Sequence, residues 1–505
     1  MWTKQNLHDL ISSGLRDVQF IVVSNREPYL HSYTGREIVC IQPASGLAAA
    51  LDPIMRATGG TWIAHGAGSA DRLAVDAKNH VAVPPESPKY TLRRVWLTKE
   101  QENRYYYGLA NEALWPLCHT AFTRPVFRPE DWQCYREVNE LFAKAVIEEA
   151  GGQPTFVFIQ DYHFGLLPRI LKDSGLPNMY VAQFWHIPWP NQEAFRAFPW
   201  GEELLDGLLG NDVLGFHIGY HCRNFLSAVD RGVEARADME RFEVTRGGHV
   251  TAVRPFPISI DFESHSQAAA EPRVEAEMER WRHELGLNDE LIVGIGLDRI
   301  DYTKGIPERF RAVDRLLEEH PEYRGRLVFV QIGVPSRVHI TRYKELNDEI
   351  DSLAEAVNWK WSTDSWKPVI LLREHAGPAR MMALHRLARF CLVSALHDGM
   401  NMVAKEFVAS RFDEDGVLIL SYFAGAAHEL TDALLINPFS LEAMTEAIHL
   451  AIEMPEAERQ HRMHRMRAVV AERNIYNWAG EVISTLLRFD FTNHVDAKRC
   501  EATAD

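Results

Sequence analysis

Residues 291–305 read Leu-Ile-Val-Gly-Ile-Gly-Leu-Asp-Arg-Ile-Asp-Tyr-Thr-Lys-Gly. The apolar run Leu291–Leu297 has the length and composition of a buried strand. Two cations, Arg299 and Lys304, follow in the turn before a helix. Pro307 suits the first helical turn, and Phe310, Val313, Leu316 and Leu317 recur at helical spacing. A strand end with Arg and Lys beside a helix N-terminus is suited to a phosphate-bearing ligand. The competing reading is an exposed charged loop.

The same strand-then-helix alternation recurs along the chain. Strands are predicted at Gln19–Ser24, Thr155–Gln160, Tyr180–Trp185, Asp212–His217, Leu291–Leu297, Leu327–Ile332, Val369–Leu372, Phe390–Ser394 and Val417–Ser421. This pattern predicts an α/β protein with parallel sheets covered on both faces. So many strands fit two doubly wound, Rossmann-like sheets better than one. A boundary is expected near Arg254-Pro-Phe-Pro257, where prolines restrict the chain, with strands resuming after a charged helix Glu271–Leu285. The expected domains are therefore 1–255 and 256–473. A helix at about 474–490, bearing Tyr476, Trp478, Val482, Ile483, Leu486 and Leu487, is expected to pack back on the first domain. Residues 491–505 are polar and expected to fray.

Composition narrows the class. The 505 residues are 46% hydrophobic and 25% charged, ordinary for a globular protein. Lys plus Arg number 54 against 70 Asp plus Glu, a formal net charge of −16. That balance argues against a nucleic-acid binder but not against a small anionic ligand held by local cations. Six scattered cysteines without CxxC spacing suggest reduced thiols, with no disulfide frame or zinc site. No signal-peptide core is evident, and no stretch approaches the ~18 apolar residues of a membrane helix, so no membrane association and a cytoplasmic location are expected.

In open α/β sheets the ligand lies outside the carboxyl ends of the strands. The motifs sit there: SNR (24–26), NxxLWP (111–116), DYH (161–163), HIPxP (186–190), RxDYxKG (299–305), PSR (335–337), DGMNxVAKE (398–406) and SxFAGAAxEL (421–430). In this order, over nearly the whole chain, they resemble the trehalose-6-phosphate synthase family of retaining glycosyltransferases. The resemblance implies a GT-B type fold, with twin Rossmann-like domains facing across a cleft. It implies transfer of glucose from a nucleotide sugar such as UDP-glucose to glucose 6-phosphate, without a cofactor or an essential metal. It also implies self-association.

By the same resemblance, Arg299 and Lys304 contact the donor diphosphate, whose growing charge fixed cations must absorb if no metal does. Asp398 accepts from a hydroxyl of the transferred sugar, and Glu406 binds the ribose hydroxyls. Gly399, Met400, Asn401, Met402 and Val403 open a helix whose N–H groups face the donor, with Gly399 allowing close approach. Gly46 is a further donor-side residue. Read alone, Asp398 would be a helix N-cap and Glu406 an exposed helix residue.

On the acceptor side the resemblance places Arg26, Tyr106, Trp115 and Arg337 around a phosphate. Guanidiniums and a phenol supply several donors to a dianion. Read singly, the two aromatics would be core and each Arg a surface ion pair. Asp161 is implied to bind acceptor hydroxyls, and His186 to offer its ring or its carbonyl to the sugar. Arg299, Lys304, Asp398 and His186 are thus the candidate catalytic residues. No nucleophilic carboxylate pair is evident, and the family's mechanism, reaction on one face with the departing phosphate oxygen taking the acceptor proton, is implied by resemblance.

Departures bear on the acceptor. Ser45 stands where relatives carry the first of two glycines. His65, in Ala64-His65-Gly66-Ala67-Gly68, stands where a second Trp is usual, and His397 where Arg is common. The loop from Arg26 to Ser45 is longer and carries Tyr29, His31, Tyr33 and Arg36. His65 and this loop are expected beside the acceptor. Alternatives are another phosphorylated acceptor (glycerol 3-phosphate or a phosphorylated cyclitol) or a non-catalytic sugar-phosphate sensor. Intact Arg299, Lys304, Asp398 and Glu406 count against the sensor. The chain ends soon after the closing helix, so no fused phosphatase is expected.

Overall fold

A computed structural model describes residues 2–14, 18–42 and 46–487. Two compact units emerge: Trp2–Ile258 together with the segment from Ile475, and Ser259–Asn474.

The strands of the first unit are β1 Gln19–Arg26, β2 Leu30–Thr34, β3 Glu37–Ile41, β4 Thr61–His65, β5 His80–Val83, β6 Tyr90–Val95, β7 Thr155–Gln160, β8 Met179–Phe184, β9 Val213–Phe216, β10 Arg236–Asp238, β11 Glu243–Arg246 and β12 His249–Pro255. Ten of them form one sheet in the order β10-β11-β12-β9-β8-β7-β1-β4-β6-β5, and β2 and β3 form a separate hairpin. From β12 to β6 every pairing is parallel. The flanks β5, β10 and β11 are antiparallel. The parallel centre is buried on both faces; all six residues of β7 are inaccessible. Helix 475–487 belongs to this unit: Trp478 lies 5.8 Å from Phe158 and 5.1 Å from Phe184, centroid to centroid.

The second unit carries β13 Ile292–Arg299, β14 Leu327–Val334, β15 Val369–Leu372, β16 Phe390–Val393, β17 Val417–Ser421 and β18 Leu434–Ile436. They form an all-parallel sheet in the order β15-β14-β13-β16-β17-β18.

Each sheet has a point where the winding reverses. In the first, β1 lies between β7 and β4; in the second, β13 lies between β14 and β16. Crossovers leave the two central strands in opposite directions there, which opens a crevice at their carboxyl ends. Arg26 and Asp161 end or follow β1 and β7, while Arg299, Lys304 and Asp398 end or follow β13 and β16.

The region expected to be a linker is partly strand. Arg254 and Pro255 end β12, parallel to β9, and Arg254 is tied to the carbonyls of Arg241 and Phe242 at 2.9 and 2.7 Å. Pro255 is tolerated because a terminal strand residue need not donate to the ladder. Three strands, β10–β12, and a short helix, Phe262–Ala269, thus precede the expected helix, which runs Pro272–Leu285 with Glu271 at its N-cap. No helix among the described residues is long and apolar enough to cross a membrane.

Candidate functional site

In the second unit the two motifs after β13 and β16 meet. Lys304 Nζ donates to Asp398 Oδ2, and Asn401 Nδ2 donates to the same oxygen at 3.1 Å. Lys304 is fixed from behind. Arg309, wholly buried, donates to the Lys304 carbonyl at 3.1 Å, to Gln331 at 3.0 Å and to Ser394 Oγ at 2.7 Å. It also pairs with Asp298 at 2.7 Å. Burial raises the Asp298 pKa, against the pull of Arg309 and Lys304. Gly305 has φ +66°, and a Cβ there would lie 2.3 Å from the Ser394 carbonyl oxygen. Only glycine lets this turn pass so close to β16.

Asp398 is not the helix cap. Asn401 caps helix Met402–Ser410, its Oδ1 accepting from the Ala404 N–H at 3.2 Å. The Asp398 carboxylate accepts from Lys304 and Asn401. The 398–401 turn is braced by the 421–430 motif: Ala426 N donates to the Met400 carbonyl at 2.8 Å and Gly425 N to the Asp398 carbonyl at 3.2 Å. A Cβ on Gly425 would lie 2.0 Å from the Gly399 oxygen. Gly425→Ala should therefore cost about 1–3 kcal/mol of stability, read by denaturant titration.

Glu406 lies on that helix, and burial raises its pKa. The neighbouring Lys405 is fully buried against Glu429 at 2.6 Å, which anchors the helix's inner face. Arg299 is exposed at the end of β13. Arg337 has φ +50° and a nearly buried side chain, NH1 reaching Asp301 at 3.1 Å and Tyr343 Oη at 2.5 Å.

In the first unit the SNR motif ends β1. Ser24 Oγ donates to the Arg26 carbonyl at 2.6 Å and accepts from Trp62 Nε1 at 2.7 Å. The β1–β4 register slips between Ser24 and Arg26, leaving Arg26 exposed. Its NH2 donates to Tyr106 Oη at 3.0 Å. Tyr106 projects from a π-helix, Glu102–Leu114, and its ring stacks on His163 at 5.8 Å. Asn111 links the motifs, donating to the Tyr106 carbonyl at 2.6 Å and accepting from Tyr162 Oη at 3.0 Å. Trp115 is buried, 5.9 Å from Tyr162. A cavity of about 250 Å³ is lined by Arg26, Tyr106, Tyr107, His65, Glu27 and Glu102 among others.

Asp161 has φ +72°, and its Oδ1 accepts from the N–H groups of Tyr162 and His186 at 2.9 and 3.2 Å. His186 Nε2 lies 2.9 Å from Gln160 Oε1, and the His186 carbonyl accepts from His217 Nε2 at 3.0 Å. Burial pushes the His186 pKa down to about 3, so its ring is neutral near pH 7 and serves as a hydrogen-bonding group. His65 Nδ1 donates to the Val95 carbonyl at 3.2 Å, and burial lowers its pKa. The neutral ring therefore offers Nε2 as an acceptor, suited to a hydroxyl more than to a phosphate. Gly46 opens helix Gly46–Thr58; Ser45 lies outside the described residues, as do 491–505.

Sequence reading missed the supports: Asp298, Asp301, Arg309, Gln160 and His217. Arg309 carried a signal, since it sits on the same helix face as Ile306 and Phe310, where a charge needs a buried partner. Among the described residues no cluster of His, Cys, Asp and Glu has metal-site geometry.

Two doubly wound units with cations and carboxylates at their switch points define a glycosyltransferase of GT-B type. The model of glycosyltransferase family 20 matches residues 18–488, and the chain belongs to that family. It is 35% identical to a trehalose-6-phosphate synthase of Mycobacterium ulcerans, covering 93% of this chain and 94% of the relative. It is 36% identical to a bifunctional trehalose-6-phosphate synthase/phosphatase of Thermoproteus tenax, of whose length it spans 64%. Among solved structures, trehalose-6-phosphate synthase from E. coli bound with UDP-2-fluoro glucose superposes with a TM-score of 0.82 at 30% identity, covering 93% of this chain and 99% of that one. The Burkholderia xenovorans α,α-trehalose-phosphate synthase in complex with glucose 6-phosphate gives 0.82 at 28% identity, covering 93% and 100%.

Proposed function

We propose that this chain transfers glucose from UDP-glucose to the anomeric hydroxyl of glucose 6-phosphate with retention, giving α,α-trehalose 6-phosphate and UDP. The observation that carries the reading is the meeting of Lys304, Asp398 and Asn401 at the switch point of the second sheet. Lys304 and Arg299 offer positive charge to the departing diphosphate. The Asp398 carboxylate accepts from a sugar hydroxyl, and Glu406 from the ribose. The departing phosphate oxygen takes the acceptor proton, and the protein supplies orientation and charge stabilisation. Arg26, Tyr106, Trp115 and Arg337 hold the acceptor phosphate; Asp161, His186 and His65 hold its hydroxyls. A cytoplasmic homo-oligomer goes with this reading.

Incubation with several nucleotide glucoses and glucose 6-phosphate tests the donor side. Release of UDP that depends on the acceptor supports the reading; release only by hydrolysis, or none, contradicts it. Because fixed cations carry the diphosphate charge, turnover should survive excess chelator. Complete loss that Mg²⁺ or Mn²⁺ restores would contradict the chemistry.

A second reading keeps the chemistry and changes the acceptor. It is favoured by His65 and Glu27 on the wall of the cavity beside Arg26. Glycerol 3-phosphate and a phosphorylated cyclitol are its candidate acceptors.

A further inference from the structure

Glu27 follows Arg26 directly and lines the same cavity, yet it belongs to a charge cluster that the transfer chemistry does not use. It is 2% exposed, and Asp71 and Arg94 are as fully buried. Arg94 Nε donates to Glu27 Oε2 at 2.8 Å, and NH2 lies 2.8 Å from Asp71 Oδ1. NH2 also lies 2.8 Å from His31 Nδ1 and donates to the Tyr29 carbonyl at 3.1 Å. The carboxylates in turn hold backbone. Glu27 Oε1 accepts from Ala67 N at 3.0 Å, Asp71 Oδ2 from Gly68 N at 2.6 Å and Asp71 Oδ1 from His31 N at 2.7 Å. Gly68 has no space for a side chain: a Cβ would lie 2.3 Å from the His31 oxygen. The 65–68 turn and the 27–31 segment, both at the cavity, are thus pinned to one cluster.

The cluster holds two carboxyl groups and one guanidinium away from water. Two carboxylate charges there would face a single guanidinium, and one proton held by the pair leaves the cluster neutral. Burial first, then the hydrogen bond with Asp71, pushes the Glu27 pKa up to about 8, against the pull of Arg94.

We infer that Glu27, Asp71 and Arg94 form a positioning element for the acceptor phosphate, sharing one proton so that the wall beside Arg26 carries no net negative charge. The inference rests on the assignment of Arg26 to that phosphate. Loss of the proton adds a negative charge close to the dianion and weakens its binding.

The surrounding groups leave the cluster as the source of such a change. His31 on β2 and His65 on β4 have pKa values lowered chiefly by burial, so both are neutral above pH 7. Cys40 on β3 and Tyr107 on the π-helix are raised chiefly by burial and keep their protons. Arg26, Glu102 and Tyr106 also face the cavity, Arg72 lies on the Asp71 turn, and Glu86 acts on Cys40. Glucose 6-phosphate is a dianion above about pH 7, since its second pKa is near 6.

The test measures the Michaelis constants of both substrates from pH 7 to 9 for the unmutated chain, Glu27→Gln and Asp71→Asn. In the unmutated chain the acceptor constant should rise roughly fivefold while the donor constant stays level. Either amide variant should remove that rise, since a single carboxylate then stands against the Arg94 charge at every pH of the series. A rise in the variants parallel to the unmutated chain overturns the inference. Absence of any glucose 6-phosphate turnover at every pH overturns the transfer reading itself, a distinguishable result. Difference infrared spectroscopy is the second readout, independent of turnover. A protonated-carboxyl band that disappears as pH rises through about 8 supports the shared proton; no such band overturns it.

Discussion

Alanine at Arg299 or Lys304 should lower turnover by roughly 100-fold or more, with binding of the acceptor little changed. The charge these cations meet is smaller in the ground state than in the transition state, where the diphosphate departs. Their loss is therefore felt mainly in turnover. Arg299 is exposed at a strand end, and Lys304 is part-buried on a turn that Arg309 braces from behind, so neither variant removes an apolar core side chain. Lys304→Ala leaves Asp398 with Asn401 as a remaining donor, and the fold should persist. Circular dichroism and thermal melting check that point. Near-normal turnover in both variants would sink the assignment of the diphosphate site.

Removing Arg26 should raise the acceptor Michaelis constant at least tenfold and leave the donor constant near its starting value. Arg26 is exposed and its guanidinium bonds Tyr106, so Arg26→Ala should melt like the unmutated chain. Arg337 behaves differently. Its guanidinium is paired with the fully buried Asp301 and with Tyr343. Arg337→Ala should raise the acceptor constant and also cost about 3 kcal/mol of stability, because it takes a paired cation away from a buried carboxylate. Melting curves beside the kinetics separate the two effects. Equal losses of stability at both positions would contradict the pairing; equal shifts in donor and acceptor constants would contradict the phosphate assignment.

The parallel strands were readable because burial on both faces demands uninterrupted apolar runs. Thr155–Gln160 and Leu327–Val334 are such runs, and sequence places them within two residues. Strand β6 escaped because Tyr-Thr-Leu-Arg-Arg-Val carries two cations; Arg93 and Arg94 are buried only because Glu148, Glu149, Glu27 and Asp71 pair with them. Strands β2, β10 and β11 are short and largely polar, so no apolar period marks them; β3, Glu-Ile-Val-Cys-Ile, is apolar but short and exposed, outside the pattern of a buried strand. The π-helix holding Tyr106 has no recognised spacing.

The candidate site was legible as motifs at strand ends but not as a network. That Asn401 and not Asp398 caps the helix depends on side-chain rotation around a turn, which residue order does not encode. Gly425 against Gly399, and Arg309 against Ser394, are contacts between segments far apart in the chain. Local pattern carries no record of them.

The most direct test is acceptor competition with product analysis. The chain is supplied with UDP-glucose and, in parallel, glucose 6-phosphate, glycerol 3-phosphate, a phosphorylated cyclitol and unphosphorylated glucose, and products are identified by mass and NMR. The account predicts one dominant product, an α,α-1,1-linked disaccharide phosphate formed from glucose 6-phosphate, with free glucose a poor acceptor. Equal use of glucose and glucose 6-phosphate, or a product of inverted configuration, would contradict it.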